Sequence, residues 1–368
     1  MKKIIVGTAK SEPGKITYGH INAMDLPTGI VDRIPVIIAQ GKEDGPTFFL
    51  SANVHGNELT GVAVIHEVMI EDLAKSLKGT VVAIPTLNPA GFRRYQRYPD
   101  YDERDPNRLF PAGRFAKKEK DDEDIKYPKP YEQIAAKVFS YFEKYADYHL
   151  DFHNHSLRSI PYSILDRIFY KDDSEKGEAE KLADQQKGMV EAFGMFGSAD
   201  FPAKKYINLK YTRSLSGAVL NTLRKPAFTV ELGSNNVLVP EVVAESIKGT
   251  RNVLRWAGML DGPMEKISDF GIDRPTKRVK RIEHPRAPKS GIIKLLVNPG
   301  QLVKAGDPIA KFTDIHGRPI GDGFIRTDYD GIMIALRSKM DVYPNDIVSE
   351  MGIEDDELII AQYPPPEE

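Results

Sequence analysis

The 368 residues contain no cysteine, which removes disulfides, thiolate nucleophiles and all-cysteine zinc sites together. Any transition metal must therefore be held by imidazoles and carboxylates, and with only 8 histidines the search is short. An excess of charge of one sign is lacking too: Lys and Arg number 51 against 53 Asp and Glu, for a formal net charge of -2. That leaves no overall basic field to draw nucleic acid or anionic lipid, and neither is expected as a partner. No apolar stretch approaches the roughly 18 to 20 residues needed to cross a bilayer. The start, Met1-Lys2-Lys3 and then Ile4-Ile5-Val6, is cut off by Gly7 far short of a signal h-region. The expectation is a cytoplasmic protein.

With 41% hydrophobic and 28% charged residues, the chain can bury a substantial core in one large or two modest domains. From about Arg33, short apolar runs alternate with longer amphipathic ones, the sign of strands interleaved with helices in an α/β sheet. Strands are predicted at Ile34 to Ala39, Thr47 to Ala52, Thr80 to Ile84, Asp147 to Phe152 and Ala227 to Leu232. Helices are predicted at Tyr131 to Tyr145, Glu175 to Phe193, Ser214 to Arg224 and Glu241 to Met259, covering both sheet faces. The polar segment from Pro111 to Pro130, with its charged run Lys117 to Asp124, is expected to be a solvated loop, with a mobile lid as the functional alternative.

After Asp261-Gly262-Pro263 helical periodicity stops, and Gly, Pro and alternating β-type runs take over. The expected division is a catalytic α/β domain over 1–262, its first 32 residues a β extension, and a C-terminal β domain over 263–368. The pieces Gly291 to Val297, Pro299 to Asp307 and Asp330 to Met333 resemble the small β-barrel of biotinyl and lipoyl carriers. The hairpin that would carry their acceptor lysine reads Asp314-Ile315-His316-Gly317-Arg318, so a carrier role is rejected and only the barrel shape kept. The basic stretch Lys277-Arg278-Val279-Lys280-Arg281 is expected to be an exposed strand or linker.

Four features carry chemistry. The first is Asn53-Val54-His55-Gly56-Asn57-Glu58, where a strand gives way to a helix beginning near Leu59, the strand end at which α/β sheets build sites. His and Glu three residues apart in a Gly-containing turn can face one ion, although a helix N-terminus with a capping carboxylate would also explain the pair. The second is Tyr148-His149-Leu150-Asp151-Phe152-His153-Asn154-His155, whose alternation puts three histidines and an aspartate on one face. A catalytic zinc needs three protein ligands and an open position; His153 is preferred over His155 to complete the set. His149 is then a core histidine or one that orients another ring. The third is Glu231 at the end of the apolar strand Ala227 to Leu232, where a lone buried charge demands a partner cation, a raised pKa or a catalytic post. The fourth runs through Leu87-Asn88-Pro89-Ala90-Gly91-Phe92, Gln96-Arg97 and Asp105-Pro106-Asn107-Arg108; the Asn107 amide and the planar fork of Arg108 could seat a carboxylate of the substrate.

In this order and spacing the four features resemble the succinylglutamate desuccinylase and aspartoacylase family, a branch of the carboxypeptidase A-like zinc hydrolases. The resemblance runs from about Arg33 to the end of the chain, on His55-Gly56-Asn57-Glu58, Asp151-Phe152-His153, Asp105-Pro106-Asn107-Arg108 and Val230-Glu231-Leu232-Gly233. It implies a doubly wound mixed sheet of the zinc-carboxypeptidase type with a C-terminal small β-barrel-like domain. It also implies one Zn2+ on His55, Glu58 and His153, Glu231 as general base, and Arg97 polarising the substrate carbonyl, with Arg94 and Arg104 as the neighbouring candidates. A pocket tyrosine from the C-terminal domain is implied as well, at Tyr343 or the nearby Tyr329. Pro106 stands where the family usually has an apolar residue.

The function expected is a zinc-dependent amidohydrolase that cleaves the linear amide of a small N-acyl amino acid or related amine, a substrate carrying a carboxylate held by Asn107 and Arg108. The alternatives are a metallocarboxypeptidase acting on short peptides and a non-catalytic protein that only binds a metal or ligand. Homo-oligomerisation is left open.

Overall fold

The computed structural model describes residues 2–113, 127–235 and 237–363. The charged run from Lys117 to Asp124, and with it the lid expectation, lies outside the described residues.

A single mixed sheet organises the first part of the chain. It is entered by β1 (Lys15–Asp25), β2 (Val31–Gln40) and β3 (Glu43–Ala52), followed by α1 (Thr60–Val68), β4 (Lys78–Ile84), α2 (Pro130–Tyr145) and β5 (Tyr148–His155). Next come β6 (Arg158–Ser159), β7 (Pro161–Leu165), α3 (Asp173–Phe193), β8 (Gly197–Ala199), α4 (Leu215–Thr222), β9 (Ala227–Ser234) and α5 (Pro240–Trp256). The centre of the sheet is parallel: β9 pairs with β5, β5 with β3 and β3 with β4, while β2 and β1 close the edge antiparallel. Such central strands are buried on both faces and read as continuous apolar runs, as Phe48-Phe49-Leu50 does in β3. Alternation then sorts them: Phe48 packs with α1, α3 and α5 on one side, and Phe49 with α2 and α4 on the other.

The residues after 263 continue this sheet and add a second one. They form β10 (Val279–Glu283), β11 (Gly291–Leu295), β12 (Leu302–Val303), β13 (Pro308–Thr313), β14 (Pro319–Arg326), β15 (Gly331–Leu336), β16 (Asp341–Val342) and β17 (Ser349–Glu354). The large sheet runs β12-β15-β17-β10-β8-β7-β9-β5-β3-β4-β2-β1, with β6 added on β15. The join is β10, which lies parallel to β8 at Ala199 and Lys280. A separate four-stranded sheet, β14-β13-β11-β16, faces β15 and β17 across a core that includes Ile293, Phe312, Met333, Leu336 and Met351. The barrel-like shape expected here is thus two facing sheets, and no strand of one is hydrogen-bonded to a strand of the other among the described residues. Half of its strands are spent extending the large sheet. No helix among the described residues is long and apolar enough to cross a membrane.

This arrangement brings the carboxyl ends of β3, β5 and β9 side by side, with β10 and β17 beyond β7 and β8. The turn after β3 is held by a close approach of two backbones: a Cβ on Gly56 would stand 2.1 Å from the carbonyl carbon of Gly91 and 2.4 Å from the Phe92 nitrogen. The segment it meets is itself fixed, since Asn88 accepts the Gly91 N–H at 2.9 Å and Pro89 opens the short helix Pro89–Arg94. Gly56→Ala is expected to destabilise the fold by about 1–3 kcal/mol, as overpacking does, seen as a lower denaturant midpoint with an unchanged slope. An unshifted midpoint would contradict the close approach.

Candidate active site

The site begins in the turn that ends β3. Asn53 adopts φ 56°, a left-handed backbone that asparagine tolerates. Its side chain donates to the carbonyls of His55 (3.0 Å) and Glu58 (2.8 Å) and accepts the Thr86 hydroxyl (2.6 Å). The turn is therefore locked around its own centre, and α1 starts at Thr60, where Asn154 of β5 accepts the Thr60 N–H at 3.1 Å. The Asn154 N–H donates to Glu58 Oε2 at 3.1 Å.

Within this frame His55, Glu58 and His153 are buried together, each with a ligating atom within 4.8 Å of the others. Glu58 lies between the two rings: Oε1 is 2.7 Å from His55 Nδ1, and Oε2 is 3.0 Å from His153 Nδ1. The far nitrogen of each ring is held by another carboxylate. His55 Nε2 is 2.9 Å from Asp105 Oδ1, and His153 Nε2 is 3.1 Å from Asp151 Oδ2. Carboxylates in those positions fix the tautomer that leaves Nδ1 facing the centre. Asp151 is fixed in turn by the Ser51 hydroxyl at 2.6 Å, so the 2.7 Å contact between Ser51 Oγ and His149 Nε2 must be donated by the histidine. That leaves His149 Nδ1 as the unpartnered acceptor found in the structure. It agrees with a ring whose pKa burial lowers to about 4.

The electrostatics follow from this packing. Burial opposes ionisation of Glu58, but the two imidazoles outweigh it and hold the carboxyl well below its usual range. Burial likewise opposes a charged His153, and Asp151 and Glu58 outweigh it, raising that ring. Asp105 is lowered against burial by His55, Arg108 and Arg97. Two imidazole nitrogens and a carboxylate oxygen converging on one point, with their outer atoms anchored, form a donor set that fits a divalent ion of the zinc type.

A cavity of about 160 Å³ opens on this cluster. Glu231 lines it from β9, directly beside His153 in the paired strands. Its Oε2 is buried with no hydrogen-bond partner, and burial raises its carboxyl although His155 and His153 pull the other way. Arg97 also lines the cavity, bonded to Glu58 Oε1 and Asp105 Oδ2 at 3.2 Å each. The alternatives lie elsewhere: Arg94 pairs with Asp100 and Arg104 with Asp102 and Glu132. Arg108 lies over the Tyr211 ring, 3.8 Å from its centroid, and donates to the Asn107 carbonyl at 2.7 Å. Asn107 lines the cavity, but its Oδ1 is taken by the Leu215 N–H at 2.9 Å.

Tyr343 is not brought to the site. It is 62% exposed, Tyr329 is 44% exposed, and neither lines the cavity. Tyr343 follows the edge strand β16 of the smaller sheet. The C-terminal region contributes Arg281 and Glu350 instead, from β10 and β17. Arg281, expected to be exposed, is buried: it bonds Asp200 at 2.9 Å, approaches Glu350 at 3.6 Å, and its carbon Cζ lies 4.3 Å from the Phe201 centroid. Glu350 holds His155 Nε2 at 3.2 Å. The signal for Arg281 was its spacing from Val279, since strand alternation puts both on the buried face while Lys280 turns to Asp356 and Glu357. Tyr211 and Asp166, also on the wall, had no local signature.

The α/β fold thus places a His/Glu/His cluster that could hold a metal ion at the carboxyl ends of parallel strands, with the unpartnered Oε2 of Glu231 on the same cavity. Residues 44–257 match the model for the succinylglutamate desuccinylase/aspartoacylase catalytic domain, and the chain belongs to that family. N-alpha-acetyl-L-2,4-diaminobutyric acid deacetylase of Halomonas elongata is 22% identical over 324 residues, which cover 86% of this chain and 84% of that protein. A succinylglutamate desuccinylase from Silicibacter sp. TM1040 has the same fold, with TM-score 0.72 and 20% identity over 96% of this chain and 98% of the other. The product-bound ectoine utilization protein EutE (DoeB) from Ruegeria pomeroyi gives TM-score 0.69 and 20% identity over the same shares.

Asp105→Asn and Asp151→Asn should each weaken zinc binding by about 10- to 100-fold, the usual effect of losing a carboxylate that orients a ligating ring. Competition against a chromogenic chelator measures this, and an unaltered affinity in both variants would show that the outer carboxylates do not set the rings.

Proposed function

We propose that the chain is a zinc-dependent hydrolase that cleaves the linear amide of a small N-acyl amino acid. The observation that carries this reading is the buried, unpartnered Oε2 of the half-buried Glu231 on the same small cavity as the anchored His55/Glu58/His153 set. The relative from Halomonas elongata, named as a deacetylase of an N-acetylated amino acid, supports the reaction class.

Zinc held by His55, Glu58 and His153 would supply a more acidic water and polarise a carbonyl oxygen. Glu231, a stronger base than an exposed glutamate because burial disfavours its charge, takes the proton of the attacking water. The same carboxyl then delivers that proton to the amine nitrogen as the carbon–nitrogen bond breaks. Arg97 stabilises the oxyanion that develops on the former carbonyl, an effect typically worth about 3 kcal/mol. Among the described residues Arg108 forms no ion pair with a carboxylate, and it is held by Tyr211 and the Asn107 carbonyl. Its fork receives the carboxylate of the substrate. The cavity is below the roughly 300–1,000 Å³ usual for ligand pockets, and this size favours a small acyl amino acid over a peptide.

Glu231→Gln is expected to keep zinc and to lose about 10²- to 10⁴-fold in kcat; near-normal turnover would remove Glu231 as the base. Arg108→Gln should raise KM about 10- to 100-fold for substrates with a free carboxylate, the value of a charge-assisted bond, and leave the corresponding carboxamides unaffected. Steady-state kinetics on N-acetyl and N-succinyl amino acids beside dipeptides tests the substrate class: preferred hydrolysis of dipeptides would replace the deacylase by a carboxypeptidase.

A further inference from the structure

We infer that His149, a buried ring that does not line the cavity, is a positioning residue for the metal site and acts on His153 through Ser51 and Asp151. This rests on the zinc reading of the site and extends it further into the sheet. β3 and β5 pair in parallel with Phe49 opposite His149 and Ser51 opposite Asp151. Alternation then puts His149, Asp151 and His153 on one face of β5, with Ser51 beside them on the same face of β3. The hydrogen bonds run one way along that face. Asp151, a carboxylate, accepts the Ser51 hydroxyl on Oδ1 at 2.6 Å, so His149 Nε2 donates to Ser51 Oγ at 2.7 Å. Asp151 Oδ2 lies 3.1 Å from His153 Nε2. A serine hydroxyl turns to suit its neighbours; with a donor behind it, its proton is directed at Asp151, and bonds linked head to tail strengthen one another.

Packing alone does not account for a histidine at this place. The ring is 0% exposed and meets Phe142 of α2 edge-on, their centroids 4.9 Å apart, in a layer that Phe49 shares. Its Nδ1 is buried with no hydrogen-bond partner, and an unpaired acceptor in such a place lowers stability. A leucine would fill the same layer without that cost. What it lacks is the N–H aimed at Ser51. The histidine therefore trades stability for the orientation of a carboxylate, the kind of local conflict that marks a functional role.

The test reads two quantities in each variant: zinc affinity, by competition against a chromogenic chelator, and the denaturant midpoint of the metal-free protein. His149→Leu should weaken zinc binding about 10-fold, the lower end of what losing support for a ligating ring costs, while the metal-free midpoint stays or rises. A residue that only packs would give the reverse. His149→Gln, whose amide N–H can stand in for that of the ring, should restore most of the affinity. Ser51→Ala should lose about as much as His149→Leu, and the double variant no more than Ser51→Ala alone, because the histidine acts only through the hydroxyl. Unchanged affinity in His149→Leu, a metal-free midpoint that falls in it, equal losses in the Leu and Gln variants, or a further loss in the double variant each overturns the inference and leaves the zinc site standing. If the unaltered protein takes up no stoichiometric zinc, the zinc reading itself has failed and the inference falls with it.

Discussion

The carboxylate of Glu58, clasped between two imidazoles, is the interaction on which the rest of the site depends. A buried carboxylate is costly unless it is paired and hydrogen-bonded, and here both oxygens are engaged, one on each ring. The rings cannot turn away, because Asp105 and Asp151 hold their far nitrogens. Those two are held in turn, Asp105 by Arg97 and the Asn107 N–H, and Asp151 by Ser51. The Nδ1 atoms therefore point at one place before anything binds there. Preorganisation of this kind is what a metal site or an oxyanion site requires.

The C-terminal region matters because its strands are part of the same sheet. β10 runs parallel to β8 and antiparallel to β17, which puts Arg281 and Glu350 on the far wall of the cavity. Arg281 meets Asp200, Glu350, Tyr162 and Tyr211 through its two terminal nitrogens, so its charge is compensated by groups of both regions. β6, only three residues beyond His155, pairs with β15. The wall is thus fixed by backbone ladders as well as by side chains, and a cavity bounded in this way sets substrate size by its geometry.

Much of this was legible in the chain because it is local. Each strand and helix predicted before residue 263 lies on an observed element, with ends shifted by a few residues: Thr47 to Ala52 within β3, Glu175 to Phe193 within α3. Alternation and spacing picked out the His55 to Glu58 turn, Asp151 beside His153, and Glu231 at a strand end, and the family resemblance joined them into one expected site. What stayed hidden depends on the partner across space. Arg281 sits in a run of cations that reads as solvent-exposed, and only Asp200 and Glu350, 81 and 69 residues away, make its burial tolerable. Asp166 has no pattern around it, and Tyr343 looked suitable by residue type although β16 carries it to the outer surface. The extension of the large sheet by β10, β15 and β17 was equally hidden, because strand pairing between distant segments has no local signature.

X-ray absorption of the zinc-loaded protein tests the central claim most directly. Two imidazoles and one carboxylate from this chain should give one ion per chain, nitrogen and oxygen scatterers at about 2.0–2.2 Å, and outer-shell scattering that counts two histidine rings. Loss of that two-ring signature, more than one tightly bound ion, or no stoichiometric zinc would contradict the account.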